Sequence, residues 1–322
     1  MEWVKLKAHL LENGSARVEG APIDAYLGQS TAGPGAGGSG SAFFTRGEGR
    51  VRLSIQEDSP IVLLHRGEGV VTLAVDGETV EGTLEKVGLH CPRQAYVTIN
   101  ERCIHRCKYC MVPFQQGRMK TVEELEAHIR AIQNRIDAIA ITSGVAANEG
   151  EEEKVTLSLV RRIRHLGIPI GVSIYPREET PGLLHVEGVE EVKFNLETAT
   201  DHLFTRMCPG LDRDLIWRIL DRSVTLFGEN HVFSNVIIGL GETDSEMETC
   251  IEDLADRGVI PVLRPLQPAA AVAHYPRVSA GRLLSLCERE EAILKTAGLE
   301  PLEARTMCLA CTGCDLTPGR DT

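Results

Sequence analysis

The apolar positions of residues 94–298 repeat with two alternating periods, one typical of strands and one of amphipathic helices. Runs with strand character are AYVTIN, AIAITS, IPIGVSIYP, VEEVKFNLE, VFSNVIIGL and VIPVLRPL. Helical periodicity follows in TVEELEAHIRAIQNR, EEEKVTLSLVRRIRHLG, DRDLIWRILDRSVTLFG, TDSEMETCIEDLADRG and GRLLSLCEREEAILKTAG, and Thr243 or Asp244 is expected to cap the fourth of these helices. About six successive βα units predict an α/β fold, a partial (β/α)6 barrel whose site lies in the loops after the strands.

Residues 1–90 show a different pattern. Short β-rich runs separated by turn residues (RVRLSIQ, PIVLLHR, GVVTLAV and ETVEGTLEKV) predict a small antiparallel sheet or meander. The glycine-rich segment 28–40 precedes them, and it is compatible with a flexible linker or with a loop whose backbone approaches a ligand. We therefore predict three regions, namely a β-rich N-terminal region with a glycine-rich loop (1–90), the partial barrel (91–298) and a C-terminal segment (299–322).

Composition narrows the class of protein. The chain of 322 residues has no apolar run of about 18 residues, and its first residues lack the apolar core of a signal peptide, so we expect a soluble, cytoplasmic protein that does not bind a membrane. The net charge of −12 argues against nucleic acid as a partner, because binding by counter-ion release requires a basic face.

Cysteine is the residue type that carries the candidate chemistry. Six of the ten cysteines form two triplets, CIHRCKYC and CLACTGC. In a reducing compartment, clustered cysteines are more often metal ligands than disulfides. Cys91, Cys208, Cys250 and Cys287 are scattered, and Cys250 and Cys287 lie in helical patterns as small apolar residues.

The first triplet, Cys103, Cys107 and Cys110, directly follows the first strand of the barrel. Three thiolates in one short loop suit an iron–sulfur cluster and leave one iron open to another ligand. Zinc is the alternative, but it would require a fourth ligand such as His105, which is poorly placed within the loop.

These residues resemble the cluster motif of the radical S-adenosylmethionine (SAM) superfamily. The resemblance covers about residues 94–298 and assigns Tyr109 as the aromatic residue before the third cysteine. It also implies SAM-facing positions near the ends of later strands, in TSG, on the third strand, in FNLET and in NVIIGLGE: Thr142, Ser143, Gly144, Ser173, Tyr175, Asn195, Glu197, Asn235, Ile237, Gly239 and Glu242. TSG replaces the Gly-Gly-Glu-like segment of the family, and asparagine replaces the first glycine of its G-x-I-x-G-x-x-E pattern. The resemblance implies a [4Fe–4S] cluster, SAM as cosubstrate and reductive cleavage of SAM to a 5′-deoxyadenosyl radical.

The second triplet, Cys308, Cys311 and Cys314, follows the last helix, from where the chain can return over the barrel mouth. We interpret it as an auxiliary [4Fe–4S] site; a zinc knuckle that recruits Asp315 or another cysteine is the alternative. Cys91 is the first candidate for a fourth ligand and a serine of the glycine-rich segment is the second. Arg264, on the sixth strand, is expected to face the same cavity, where it would neutralise a cluster or bind the SAM carboxylate.

The position of the second triplet is most similar to the two-protein lipoyl synthases of the biotin and lipoyl synthase branch. That resemblance implies sulfur insertion from a sacrificial auxiliary cluster into an octanoyl-lysyl group. It implies an octanoylated lipoyl-carrier protein, a ferredoxin or flavodoxin reductant and a sister radical SAM protein as partners. The alternatives are a radical SAM maturase or C-methylating enzyme with a permanent second cluster, and a non-catalytic iron–sulfur or zinc protein with a redox or scaffold role.

Overall fold

The computed structural model describes residues 2–29, 40–75, 77–86 and 93–322, and within them the predicted barrel is a six-stranded parallel sheet. Its strands pair in chain order and each neighbouring pair is parallel. They are β7 (Gln94–Thr98), β8 (Ala138–Thr142), β9 (Ile170–Ser173), β10 (Glu191–Lys193), β11 (Val232–Ile238) and β12 (Ile260–Pro265). The sheet stays open between β7 and β12 within the described pairings, which confirms the predicted partial barrel.

Helices cover the outer face of this sheet. They are α2 (Val122–Ile132), α3 (Glu149–Ile163), α4 (Thr180–Val186), α5 (Asp201–Met207), α6 (Arg213–Phe227), α7 (Asp244–Ala255) and α8 (Ala280–Ala297). Two begin with reciprocal capping boxes, Thr121 with Glu124 in α2 and Thr243 with Glu246 in α7. Thr243 is therefore the N-cap, the first of the two residues that the sequence offered. Cys250 and Cys287 are buried in α7 and α8 as small core residues.

The N-terminal region is a closed six-stranded barrel behind one helix. The elements are α1 (Trp3–Asn13), β1 (Ser15–Gly20), β2 (Ser41–Arg46), β3 (Gly49–Ile55), β4 (Val62–Gly67), β5 (Val70–Val75) and β6 (Glu78–Leu84), in the order β1-β3-β2-β6-β5-β4. Strands β2 to β6 pair antiparallel as predicted. The prediction of a simple sheet or meander was wrong in one respect: β1 pairs parallel to both β3 and β4 and closes the barrel.

The inner face of the parallel sheet is layered from apolar to polar. Near the amino ends of the strands, Ala140, Phe233, Ile260 and Val262 are packed in one apolar cluster. Further along the strands, polar side chains take the same inward positions, because alternate residues share a face. The carboxyl end of the sheet therefore carries the chemistry and the amino end carries the packing, as in other β/α barrels.

The C-terminal segment enters this interior from the amino end of the strands. Buried Glu191, at the start of β10, accepts hydrogen bonds from the backbone of Arg305 and Thr306, each at 2.8 Å. Gln94, at the start of β7, bonds the backbone of Met307. A short helix, α9 (Met307–Cys311), follows. The expected return over the barrel mouth is therefore wrong, because α8 carries the chain back to the opposite edge before the triplet begins.

Helix α1 contacts the end of the C-terminal segment, around and after the second triplet. The Lys7 side chain is fully buried and its Nζ donates to Asp321 Oδ2 (2.6 Å) and to the carbonyl of Thr312 (2.5 Å). Asp321 also accepts from Trp3 Nε1 (2.9 Å) and from the backbone of Thr317 (2.8 Å). Both halves of the buried ion pair are thus hydrogen-bonded, which a desolvated pair requires. No helix in the described ranges is both long and apolar enough to cross a bilayer.

Candidate functional site

One cavity of about 770 Å³ contains both cysteine triplets. It lies between the inner face of the parallel sheet, the loop after β7 and the C-terminal segment. Its lining includes most of the residues that the sequence singled out: Cys103, Cys107, Tyr109, Cys110, Thr142, Ser143, Gly144, Ser173, Tyr175, Asn195, Glu197, Asn235, Arg264, Cys308, Cys311 and Cys314. Residues more than 200 positions apart in the chain, such as Cys103 and Cys314, therefore share one chamber.

Four predicted residues are not part of the described lining of this chamber, namely Cys91, Ile237, Gly239 and Glu242. Cys91 lies outside the described residues, so its assignment as a fourth ligand stays a prediction. Ile237 and Gly239 pack beside the cavity rather than in its lining. Ile237 lies in an apolar cluster against Tyr109 and Cys107, and a Cβ at Gly239 would clash with Val278.

The first triplet is carried by residues 101–120, which we call the cluster loop. Its start is fixed by buried Asn100, whose Oδ1 accepts from Arg102 N (3.0 Å) and whose Nδ2 donates to Glu152 Oε1 (2.7 Å). Ser143 Oγ donates to the other Glu152 oxygen at 2.8 Å. A Cβ at Gly144 would clash with the Arg102 carbonyl, so this glycine allows β8 to approach the loop. Ser143 and Gly144 thus shape the loop; the predicted contact of TSG with SAM stays a prediction.

The three thiols of the cluster loop are half-buried and lie close enough to affect one another electrostatically. Burial raises the pKa of Cys103 and raises that of Cys110 to about 12. A hydrogen bond with Cys208 is the largest cause that raises the pKa of Cys107, and burial is the second largest. The thiols are therefore protonated at neutral pH until a metal centre takes the place of the protons.

Neither triplet has the geometry of a single-ion site. Among the described residues, no three His, Cys, Asp or Glu side chains converge as ligands of one metal ion. Thiolates around one zinc ion would lie about 3.8 Å apart, given a Zn–S bond of about 2.3 Å in a tetrahedron. Thiolates at the corners of a cuboidal cluster stand further apart. For the first triplet, three thiols that face one chamber suit the iron–sulfur cluster that its spacing predicts.

His105 serves the architecture of the cluster loop. Its ring packs at 5.0 Å from the ring of Tyr175, and its Nε2 lies 3.4 Å from Glu149 Oε1. Burial lowers the pKa of His105, although Glu149 opposes that effect. The expectation that His105 is poorly placed to join its neighbours as a ligand agrees with these contacts.

The polar side chains after β10 and on β11 form the wall opposite the cluster loop. Asn195 Oδ1 accepts from the Asn235 backbone (3.3 Å), and Glu197 has a left-handed backbone (φ 65°). Burial raises the pKa of Glu197, against the opposing effects of Asn195 and Lys193. The buried Asn235 Oδ1 has no hydrogen-bond partner among the described residues. An orphaned acceptor in the cavity wall fits a donor-bearing ligand such as SAM.

Glu242, the last residue of the strand motif, shapes the turn after β11. Its carboxylate accepts from the backbone of Gly239 (2.7 Å) and Leu240 (2.9 Å), and Arg282 lies 3.0 Å from it. The conformation at Gly239 has φ 103°, which favours glycine. The motif therefore holds the turn that closes this side of the cavity.

The second triplet lies among cations. Lys193 Nζ donates to Cys308 Sγ at 3.0 Å, and Arg264 donates to Asp315 Oδ2 at 2.8 Å. Burial alone would lower the pKa of Lys193, but Cys308 and Tyr96 outweigh it and the pKa is raised. Burial raises the pKa of Cys314, while Arg264 and Arg52 oppose that increase. This positive surrounding fits a set of thiolates that carries a net negative charge.

Two candidates for the fourth ligand are engaged elsewhere. Buried Asp315 accepts from Arg264 and from Thr317 Oγ1 (3.1 Å), which leaves it a poor zinc ligand. Ser41 is the described serine of the glycine-rich stretch, and its Oγ accepts from Arg52 Nε at 2.7 Å. Ser30 and Ser39 lie outside the described residues. The serine alternative for them stays a prediction.

Sequence reasoning missed Lys193, Tyr96 and Arg52, which all line the cavity. The signal for Lys193 was present, because the alternation that put Asn195 and Glu197 on one side applies equally to the residue two positions earlier. Tyr96 follows from the same rule on β7. Arg52 carries no such signal, since it belongs to the N-terminal barrel. Its backbone N–H donates to the Gly313 carbonyl (2.7 Å), which holds β3 beside the C-terminal segment that lines the cavity.

Comparison with known proteins agrees with this geometry. Residues 97–254, which include β8 to β11 and the cluster loop, match the family described as the Radical SAM superfamily. The chain contains a radical SAM domain. Three cysteines of the expected spacing stand at the carboxyl end of the first strand of that domain, and the family implies a [4Fe–4S] cluster and SAM.

Relatives and solved structures extend the comparison. Lipoyl synthase of Leptospira biflexa is 25% identical over 248 residues, which cover 70% of this chain and 76% of that protein. A solved structure of HydG, a maturase of the [FeFe]-hydrogenase, has a TM-score of 0.53 at 18% identity and covers 63% of this chain, but this chain spans only about half (49%) of HydG. Methylornithine synthase (PylB) has a TM-score of 0.51 at 14% identity, with 66% and 71% coverage. The two structures support the fold alone.

Proposed function

We propose that this radical SAM enzyme is a lipoyl synthase that inserts sulfur into protein-bound octanoyl-lysine. The observation that carries the proposal is that the second thiol triplet faces the same cavity as the first. A substrate carbon held in this chamber is within reach of both sites. The relatives named lipoyl synthase, at about a quarter identity, support the same reading.

Within this proposal, the two thiol sets divide the reaction. With [4Fe–4S] clusters and SAM bound, the first site would supply a 5′-deoxyadenosyl radical and the second would supply sulfur. Cys103, Cys107 and Cys110 would hold the first cluster, and Cys308, Cys311 and Cys314 would hold the second. The polar wall of Asn195, Glu197 and Asn235 would orient SAM.

The remaining lining residues suit an alkyl substrate. Apolar side chains form a part of the same cavity: Val97, Leu125, Ile174, Phe204, Leu211 and Ile216. An octanoyl chain needs such a wall, because a mostly apolar lining with few polar groups both binds the chain and orients it. Enclosure by the sheet and the C-terminal segment would also exclude water from a reactive radical.

Lys193 and Arg264 would stabilise the second site electrostatically. Lys193 is buried and hydrogen-bonded to Cys308, and Arg264 lies on the next-but-one strand with Asp315 as its partner. Two cations beside three thiolates reduce the cost of burying their charge. The proposal further includes an octanoylated lipoyl-carrier protein, a ferredoxin or flavodoxin reductant and a sister radical SAM protein for the second sulfur.

Single-turnover analysis of the reconstituted enzyme tests the proposal. The protein is incubated without oxygen with SAM, dithionite and an octanoylated lipoyl-domain peptide, with and without a sister protein, and products are identified by mass spectrometry. We expect a gain of one sulfur per peptide and a matching loss of iron and sulfide from the protein. Cys311→Ala should still form 5′-deoxyadenosine but no thiolated peptide.

Two results would contradict the proposal. A product formed while iron and sulfide stay constant would indicate a permanent auxiliary cluster, as in a maturase or a C-methylating enzyme. Absence of 5′-deoxyadenosine from a fully loaded protein would leave a non-catalytic redox or scaffold role.

A further inference from the structure

The cluster loop has two faces that alternate residue by residue. Cys103, His105, Cys107 and Tyr109 line the cavity. Between them, the side chains of four residues are exposed to solvent, namely Arg102, Ile104, Arg106 and Lys108. The loop is therefore one chain thick at this point, and its outer face lies directly over the residues that would hold the first cluster.

This outer face is basic in an acidic protein. Residues 102–120 contain five Lys or Arg residues and no Asp or Glu, whereas the whole chain has a net charge of −12. Arg118 and Lys120 pair with Glu124 and Glu101, so the charge of the outer face comes from Arg102, Arg106 and Lys108. Within the described part of the chain, the exposed side chains of Arg106 and Lys108 have no ion-pair or hydrogen-bond partner. A local positive field of this kind attracts an acidic protein and increases the rate of encounter.

An open surface pocket reaches Cys103 from the solvent side of the cluster loop. Its volume is about 540 Å³, and its lining includes Arg102, Cys103 and Gln116. Three apolar side chains of the same loop are exposed, with exposed fractions of 48% for Ile104, 61% for Phe114 and 53% for Met119. Exposed apolar side chains together with basic ones are typical of a protein-docking surface.

The backbone of this face is held in place. Ile104 N donates to the Val145 carbonyl (2.7 Å), and Lys108 N donates to the Met207 carbonyl (2.9 Å). A face fixed on both sides by the sheet region can present its side chains without a large ordering cost on binding.

We propose that the outer face of the cluster loop, Arg102, Ile104, Arg106 and Lys108 with Phe114 and Met119, docks an acidic protein that carries single electrons. SAM cleavage needs one electron from outside the chain. The docked carrier would be oxidised by one electron, and Cys103, Cys107 and Cys110 would hold the cluster that supplies this electron for the reductive cleavage of SAM to methionine and the adenosyl radical. The inference rests on the radical SAM chemistry and not on sulfur insertion.

The test uses a flavodoxin, an acidic flavoprotein, with the reconstituted enzyme and the double variant Arg106→Glu/Lys108→Glu. The affinity of the complex is measured by fluorescence anisotropy at several salt concentrations. We expect the Kd to increase by about tenfold or more and to lose most of its salt dependence. The ratio of flavodoxin-driven to dithionite-driven 5′-deoxyadenosine formation should fall by a similar factor, since dithionite does not need to dock.

A matched control separates the position of the charges from their number. Arg135→Glu/Lys295→Glu makes the same change in net charge at two exposed side chains near the amino edge of the sheet. It should change the Kd less than about twofold. If the first variant binds iron poorly, Arg106→Gln/Lys108→Gln replaces it and is expected to show a smaller effect of the same sign.

Three outcomes would overturn the inference. The first is equal weakening by both reversals, and the second is cross-links from flavodoxin that map away from residues 101–120. The third is an unchanged ratio together with a higher KM for the octanoylated carrier, which would assign the face to the substrate protein. Because the readout needs no lipoyl substrate, a failure of the proposed sulfur insertion leaves this test intact.

Discussion

The two cysteine triplets face one cavity but differ in their surroundings. Cys103, Cys107 and Cys110 are half-buried in a surface loop whose other side is exposed to solvent. Cys311 and Cys314 are buried under the N-terminal barrel, with exposed fractions of 5% and 8%. The first site thus borders both an outer surface pocket and the shared chamber, whereas two cysteines of the second site are buried.

The charges around the triplets differ in the same sense. Glu197 is among the groups that affect the first thiols and disfavours their ionisation, whereas Lys193, Arg264 and Arg52 surround the second set and favour it. An exposed centre suits electron entry, and a buried cationic centre suits the retention of a charged group until substrate arrives. The difference supports the proposal that the two triplets have different roles.

Removal of one cysteine from each triplet gives the largest expected effect. Cys107→Ala should lower 5′-deoxyadenosine formation to the level of the protein-free control, because a radical SAM cluster needs all three thiolates. Cys311→Ala should retain SAM cleavage and lose about half of the bound iron. Iron analysis and chromatography of the nucleoside products measure both effects. Loss of SAM cleavage in both variants would mean that the sites do not act separately.

Loss of the buried ion pair between α1 and the C-terminal segment should have the second-largest effect, a decrease in the stability of the chain. Lys7→Ala leaves Asp321 buried without its cation, and breaking a buried pair on one side costs about 3–5 kcal/mol. The free energy of unfolding of the apoprotein, from chemical denaturation, measures this loss. Arg93→Ala serves as the control, because the Arg93–Asp137 pair is exposed and its loss should leave the stability nearly unchanged. Similar losses in both variants would show that Lys7 does not fasten the segment.

The open parallel sheet could be predicted because its six strands and five of its helices have a clear period in the sequence; the short helices α4 and α5, of seven residues each, were missed. The cluster loop could be predicted from spacing alone, since its three cysteines are near neighbours. Its contacts with Asn100 and Glu152 could not, because they depend on how β8 and α3 pack against the loop.

The environment of the second triplet lay beyond sequence reasoning. Cys308 meets Lys193 across 115 positions, and Lys7 meets Asp321 across 314. Such contacts depend on the route of the C-terminal segment, which enters at the amino edge of the sheet because Glu191 and Gln94 accept it there. The parallel pairing of β1 was missed for the same reason, since its partners are fixed by barrel closure rather than by its own pattern.

The pH dependence of stability tests the buried region that contains Glu290 and Asp315. This residue of α8 is fully buried, its Oε2 has no partner among the described residues, and burial, helped by Asp315, raises its pKa well above the ordinary value. A carboxyl group whose folded pKa is raised binds its proton more tightly in the folded state. Its contribution is complete below the unfolded pKa and is lost as the pH rises towards the folded pKa.

Apoprotein stability should therefore fall by up to about 1.4 kcal/mol per pH unit above about pH 4.3, the ordinary glutamate value. Glu290→Gln should remove this part of the slope, and chemical denaturation from pH 5 to pH 8 measures the difference between the two proteins. Parallel stability profiles for the variant and the wild type would show that Glu290 is ionised in the folded chain.

The smallest expected effect tests whether Lys193 gives the second site its electrostatic character. A cation and an N–H donor at a cluster sulfur stabilise the reduced state, because reduction adds negative charge. Lys193→Met keeps the length of the side chain and removes both the charge and the 3.0 Å hydrogen bond to Cys308. We expect the midpoint potential of the second cluster to become more negative, on the order of 50 mV, a single-electron shift of about tenfold in the equilibrium constant.

A spectroelectrochemical titration followed by electron paramagnetic resonance measures the potential, with Lys193→Arg as the variant that should restore most of it. The first cluster should keep its potential in both variants, since Lys193 contacts only the second triplet. If instead the first potential shifts and the second does not, then the cation serves the SAM side of the chamber, and the division between an exposed entry site and a buried cationic site would have to be redrawn.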